Sequence, residues 1–208
     1  MRLTRYRSTA LLSPLMALLP GVGAAQIVGD VELTPFFASY YALGQLKDDA
    51  AGREKQTAAP ALGANLTVRI TGPYYVEGSV AYSTSGTVPY SGSANQALPG
   101  HLAFANVRLI YRGGFDPGMS NMHFFAGGGI VNRGGEAWSF DGASSLTNAA
   151  GVAGLGVRTQ VGLKLSFDLA AEVHVYKADP DSDRDYYSPR WQQDVLVRIG
   201  IPIILRRP

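Results

Sequence analysis

Apolar residues recur at every second position through eight stretches of this chain, and seven polar or Gly/Pro-bearing interruptions, alternately long and short, separate them. The stretch from Leu165 to Tyr176 shows the rhythm most sharply. Leu165, Phe167, Leu169, Ala171, Val173 and Val175 alternate there with Ser166, Asp168, Ala170, Glu172, His174 and Tyr176. A period of two places the two sets on opposite faces of a strand. Leu62, Leu66, Val68 and Ile70 likewise oppose Asn65, Thr67 and Arg69, and Tyr74, Val76, Val80 and Tyr82 oppose Glu77, Ser79, Ala81 and Ser83. Val107, Leu109 and Tyr111 oppose Asn106, Arg108 and Arg112, and Val195, Val197, Ile199 and Ile201 oppose Asp194, Leu196, Arg198 and Gly200. Three further strands are less regular: Val31–Ala42, with Pro35 expected near a rim or at a bulge, His123–Val131 with its Gly127-Gly128-Gly129 run, and Ala149–Thr159 with three glycines. Pro is tolerated only where a ladder N–H is dispensable, and glycines at this density predict sharp curvature or close packing against a neighbouring ring.

Alternation alone also fits a soluble ligand-binding barrel, so the composition of the polar parity carries the choice. A water-facing wall is crowded with Lys and Glu. Here that parity holds Gly, Ser, Ala and Thr with isolated ions, while the opposite parity of the five regular strands holds no charge. The pattern predicts an all-β fold, an eight-stranded antiparallel up-and-down transmembrane β-barrel with an apolar outside and a narrow polar lumen. Slipping any strand by one residue would drive its ions into lipid, at about 2–4 kcal/mol per Arg near the midplane. The stretches 43–59, 84–99, 132–148 and 177–190 read as long outer loops, and 71–73, 113–121 and 161–163 as shorter periplasmic turns.

Residues 1–25 have the plan of a secretory signal peptide: a basic head of Arg2, Arg5 and Arg7, an apolar core from Ala10 to Leu19, and small residues Gly23, Ala24 and Ala25. The domain division expected is therefore 1–25 leader and 26–208 barrel. The leader holds three of the 18 basic residues and none of the 16 acids, so the rest of the chain is near neutral. No clustered basic footprint points to nucleic acid. Cysteine is absent, which excludes disulfides, thiolate catalysis and Cys-type zinc sites.

An eight-stranded barrel is narrow enough to be filled by its own side chains. The inward ions Arg69, Glu77, Arg108, Arg158, Asp168, Glu172 and Arg198, with His174, are expected to pair across the lumen as a charge network rather than line an open pore. His174 beside Glu172 could serve as a base with its orienting carboxylate, as an outer-membrane lipid A deacylase requires. Enzymes of that kind carry Ser two residues after the His, and Tyr176 stands there instead. Asp179, Asp181, Asp183 and Asp185 could offer oxygens to a divalent cation, but no frame supplies the Gly and Glu of an EF-hand loop. Lys47, Arg53, Lys55, Arg133, Lys177, Arg184 and Arg190 are placed to meet lipopolysaccharide phosphates at the outer rim. Tyr40, Tyr41, Tyr74, Tyr82, Tyr111, Trp138, Tyr186, Tyr187 and Trp191 suggest interfacial girdles.

The run of features resembles the outer-membrane β-barrel domain family, the small eight-stranded barrels similar to the OmpA transmembrane domain and OmpX. Four segments carry the resemblance: Val31-Glu32-Leu33-Thr34-Pro35-Phe36, Asn106 to Arg112, Phe124-Phe125-Ala126-Gly127-Gly128-Gly129, and Gly154-Leu155-Gly156-Val157-Arg158. The resemblance implies a monomer in the bacterial outer membrane, in contact with membrane lipid and lipopolysaccharide, inserted by the outer-membrane assembly machinery, with no cofactor and no metal. It implies a non-enzymatic structural or surface-contact role exercised by the outer loops. The alternatives are a lipid-modifying enzyme centred on His174 and Glu172, and a soluble ligand-binding barrel. One departure stands out: such chains usually finish on an aromatic residue read by the assembly machinery, and this one ends Ile203-Ile204-Leu205-Arg206-Arg207-Pro208. The departure implies weaker recognition by that machinery, or a signal slightly upstream, at Ile199 to Ile203.

Overall fold

The computed structural model describes residues 30–44, 47–49, 52–89, 99–114, 120–135, 145–161, 165–178 and 190–206. The leader and the acidic loop 179–185 lie outside them. Twelve strands are formed: β1 (Val31–Ala42), β2 (Lys47–Asp49), β3 (Gly52–Gln56), β4 (Ala59–Thr71), β5 (Tyr74–Ser83), β6 (Thr87–Pro89), β7 (His101–Gly114), β8 (Ser120–Gly134), β9 (Ser145–Val161), β10 (Leu165–Ala178), β11 (Arg190–Gly200) and β12 (Ile203–Arg206). The main sheet runs β11-β10-β9-β8-β7-β5-β4-β1-β12 and closes through an additional β11–β1 pairing. Every pairing is antiparallel.

Eight staves make the wall, because β11 and β12 are one stave interrupted at Ile201-Pro202. Their register against β1 is continuous across the gap: Phe36 faces Gly200 and Leu33 faces Ile203. Pro35 lies opposite the gap, and neither proline has an N–H to offer the ladder. The Ile201 N–H still donates to the Pro35 carbonyl, at 3.1 Å. Pro35 therefore sits at the closing seam, and the bulge in this seam comes lower, between Val31 and Glu32.

The two faces separate as the alternation predicts. Leu62, Leu66, Val80, Val107, Leu109, Leu155, Leu169, Val197 and Ile199 stand exposed on the outside, while Glu77, Arg108, Asp168, Glu172, His174 and Arg198 are buried inside. Tyr74 and Tyr111 pair on the outer wall near the short-turn rim, with ring centroids 5.6 Å apart, and Tyr82 stacks on His101 near the other rim at 5.7 Å. These are the aromatic girdles of a membrane-spanning wall. Tyr41 and Trp191 also face outward, but Tyr40 does not; it is wholly buried in the lumen. Trp138, Tyr186 and Tyr187 lie outside the described residues.

Strand structure continues beyond the wall at one rim, in a separate sheet. The stretches expected as plain loops, 43–59 and 84–99, contain β2, β3 and β6, which form a second, three-stranded antiparallel sheet. Thr57 and Gly86 tie its base together, with the Thr57 N–H donating to the Gly86 carbonyl at 2.9 Å and the Gly86 N–H donating back to Thr57 Oγ1 at 3.2 Å. These segments are polar and carry no clear alternation, so nothing in their pattern marked them as strands. At the opposite rim the β4–β5 connection is a tight turn through Gly72, whose φ of +50° suits glycine, and Pro73.

Candidate functional site

The lumen carries three layers of ions separated by rings. In the middle layer Arg108, on β7, donates from Nε to Glu77 Oε1 at 2.8 Å, from Nη1 to Glu172 Oε2 at 2.6 Å and from Nη2 to Asn65 Oδ1 at 3.3 Å. Thr67 Oγ1 donates to the second oxygen of Glu77 at 2.5 Å, and His174 Nε2 lies 3.1 Å from the second oxygen of Glu172. Arg198, on β11, is a second cation for the same carboxylates, 3.4 Å from Glu172 and 3.9 Å from Glu77, and reaches Asp168 at 3.7 Å. Each carboxylate thus faces two guanidiniums, the arrangement that offsets the cost of burying ions.

Alternation delivers these groups to one level, and glycines make room for them. Gly127 faces Arg108 across the β7–β8 ladder. A Cβ there would lie 2.6 Å from Arg108 Cα and 2.8 Å from its Cβ. The same device seats the rings: Phe36 lies over Gly63, Phe125 over Gly154 and His123 over Gly156, each pair directly opposite in register. The glycine-rich strands β8 and β9 are the floor on which neighbouring side chains lie, as expected of glycines rescued by cross-strand aromatics. Arg108 in turn stacks over Phe125, 4.3 Å from its centroid.

Below, near the short-turn rim, Glu32 is clamped between Arg112, at 3.0 Å, and Arg158, at 2.8 Å, and Arg158 Nη2 reaches Asp168 at 3.5 Å. Arg69 stands apart from the network at the lumen mouth, partly exposed, with Asp30 at 3.9 Å. Above the middle layer the Phe104 ring packs on His174, with centroids 4.7 Å apart. Beyond it the Tyr176 hydroxyl donates to Asp194 at 2.5 Å, and Tyr40 donates to Gln56 at 2.8 Å.

Of the sequence-predicted group, Glu77, Arg108, Asp168, Glu172, His174 and Arg198 come together at mid-lumen; Arg158 joins from the layer below and Arg69 does not join. Glu32, Arg112, His123, Arg133, Asp194, Tyr40 and Tyr176 also face the lumen, beyond the group that alternation pointed to. Asp194, Arg112 and Tyr176 share the inward parity of their strands, so for these three the signal is present in the sequence. Arg133, placed by its sequence position among the rim cations, is instead buried in the lumen, with its guanidinium 4.9 Å from the Tyr176 ring and a bond to Asn148 Oδ1 at 2.7 Å. It follows Phe125 and Val131 on the inward parity of β8, which extends to Gly134, past the expected end at Val131. Lys177 does face out at the loop rim. Lys47, Arg53, Lys55 and Arg190 have no described side chain, and Arg184 lies outside the described residues.

Among the described residues the lumen and its mouth hold six arginines (69, 108, 112, 133, 158, 198) and six carboxylates (30, 32, 77, 168, 172, 194). No group of three or more His, Cys, Asp or Glu among the described residues could hold a metal ion.

A closed antiparallel sheet with hydrocarbon side chains outside and paired ions within defines the class: an eight-stranded β-barrel of the outer-membrane type. The comparisons agree on the fold. No family model matches the chain, and no curated protein matches it. Among solved structures it is similar to outer membrane protein AlkL, determined in DMPC lipid bilayers, with a TM-score of 0.57 at 13% identity over 86% of this chain and 90% of that one. It is similar to OprG from Pseudomonas aeruginosa, with a TM-score of 0.56 at 12% identity over 85% of this chain and 96% of that one. Neisserial surface protein A gives 0.54 at 11% identity, over 84% and 95%.

Proposed function

We propose that this chain is a non-enzymatic protein of the bacterial outer membrane, a monomeric barrel sealed by its own side chains, which meets its surroundings through its outer loops. The observation that carries the reading is the middle layer: Glu77, Arg108, Glu172, His174 and Arg198 are all buried, with Arg108 only 1% exposed. They reach inward from four staves, β5, β7, β10 and β11, and pair with one another at the lumen centre. The surface-contact part of the proposal is supported by the β2-β3-β6 sheet, which gives part of the outer face a built shape. Lys177 pairs across the ladder with the exposed Trp191 at the same rim, where a lipopolysaccharide phosphate and the membrane interface would meet them. The purified barrel in planar bilayers is expected to give no stable channel; a sustained open conductance would refute the sealed lumen. Membrane fractionation with unheated and heated gels checks the compartment.

The lipid-modifying alternative draws on the His174–Glu172 contact. Glu172 is, however, held by Arg108 and approached by Arg198, the Tyr176 hydroxyl is committed to Asp194, and all of these side chains are sealed inside the wall. Lipid A composition is expected to be the same with wild-type protein and with His174→Ala.

A further inference from the structure

The geometry points to an anion-binding site at the periplasmic mouth of the lumen, one that takes a small molecule through a carboxylate or phosphate group. A cavity of about 470 Å³ opens there between the β4–β5 turn and the lower clamp, with Arg69, Arg112, Arg158, Glu32, Tyr75 and His123 on its walls. That volume lies within the ordinary range for small-molecule sites. Three guanidiniums face a single carboxylate. Two other acids reach these arginines without lining the cavity: Asp30 lies 3.9 Å from Arg69, and Asp168 pairs with Arg158 and Arg198.

Glu32 shows what the arginines are shaped to hold. Arg112 donates to its two oxygens from two nitrogens, at 3.2 and 3.0 Å, and Arg158 Nη1 touches both oxygens, at 3.1 and 2.8 Å. This is the planar two-oxygen recognition that guanidinium offers to carboxylate and phosphate alike. Arg112 is braced from below by the Tyr75 ring, 4.0 Å from its centroid. Arg69 is the least committed of the three: its side chain is 40% exposed, its Nε is tied only to the Gly72 carbonyl at 3.0 Å, and its ion pair is long. An incoming acid group bridges Arg69 to the Arg112–Arg158 pair and competes with Glu32 for them.

Competition fixes the signs of a test. The full barrel in lipid nanodiscs is titrated at low salt with inorganic phosphate and, separately, with succinate, by calorimetry; the two arms separate a phosphate site from a carboxylate site. Arg69→Gln is expected to weaken binding about tenfold, the loss of one charge-assisted contact. Glu32→Gln is expected to tighten it about tenfold by removing the internal competitor. Heat-dependent gel mobility reports whether each variant is folded, and if Glu32→Gln is not, Arg69→Gln decides alone. Absence of binding by the wild type at about 20 mM of either anion, an unchanged affinity in Arg69→Gln, or weaker binding in folded Glu32→Gln overturns the assignment.

Discussion

Replacing Arg108 by Met keeps an unbranched stem, two atoms shorter than that of arginine, and removes the central cation of the lumen. Four hydrogen bonds go with it: two to Glu77 Oε1, at 2.8 and 2.5 Å, one to Glu172 at 2.6 Å and one to Asn65 at 3.3 Å. Glu77 and Glu172 are left buried, with Arg198 at 3.9 and 3.4 Å as their remaining neighbouring cation. Breaking a buried ion pair by removing one partner costs about 3–5 kcal/mol. Movement of Arg198 toward the carboxylates works against that loss, so about 3 kcal/mol is the expected result, roughly a hundredfold in the folding equilibrium. The assay is equilibrium urea unfolding of the protein in lipid vesicles, read by the difference between unheated and heated gel mobility. The Arg108→Met, Glu77→Gln pair should recover part of the loss, with a coupling energy of about 1–3 kcal/mol in the double-mutant cycle. A single-variant cost below about 1 kcal/mol, the level of a solvated surface pair, would refute the reasoning, because it would mean that water already reaches the middle layer.

Glycine positions on the two faces should respond oppositely. Gly154→Val places a Cβ 2.4 Å from the Phe125 ring and 2.5 Å from the Ala171 carbonyl, and should cost at least about 1–3 kcal/mol by overpacking, whereas Gly151→Val meets nothing nearer than 3.9 Å and should unfold close to wild type. Comparable urea midpoints for the two would show that the inner glycines are not a packing floor. Leu169→Arg puts a cation on the outer wall and should cost about 2–4 kcal/mol in vesicles if the residue lies near the midplane. A cost near zero there would argue that the wall is not facing hydrocarbon.

The wall was legible because lipid and lumen impose the same rule at every pair of residues: β1 runs Val31–Ala42 as expected, and in all five regular strands the outward and inward sets stand where parity put them. The polar extension was not legible. β2, β3 and β6 have no apolar face to bury, so their pairing depends on how two distant loops meet rather than on a local period. The candidate network was readable wherever an ion sat in a clean alternation, as Arg108, Glu172 and Arg198 do. It was lost where glycines blurred the rhythm: His123 and Arg133 lie at either end of the Gly127–Gly129 run, and their shared inward direction emerges only once β8 is seen to continue through the glycines. Glu32 could not be assigned from β1 alone, since its partners come from β7 and β9 on the far side of the mouth.

The seam where the cylinder closes is keyed. At Pro35 and Pro202 two residues incapable of donating stand one step apart on facing staves, with the Ile201 amide bonded to the Pro35 carbonyl between them. Pro35 returns no N–H to that pair, so the register here is held by which face each side chain meets rather than by a full set of bonds. A last stave displaced by one residue would turn Arg198 toward lipid and its isoleucines into the lumen, so a newly inserted chain shuts with its ions inward.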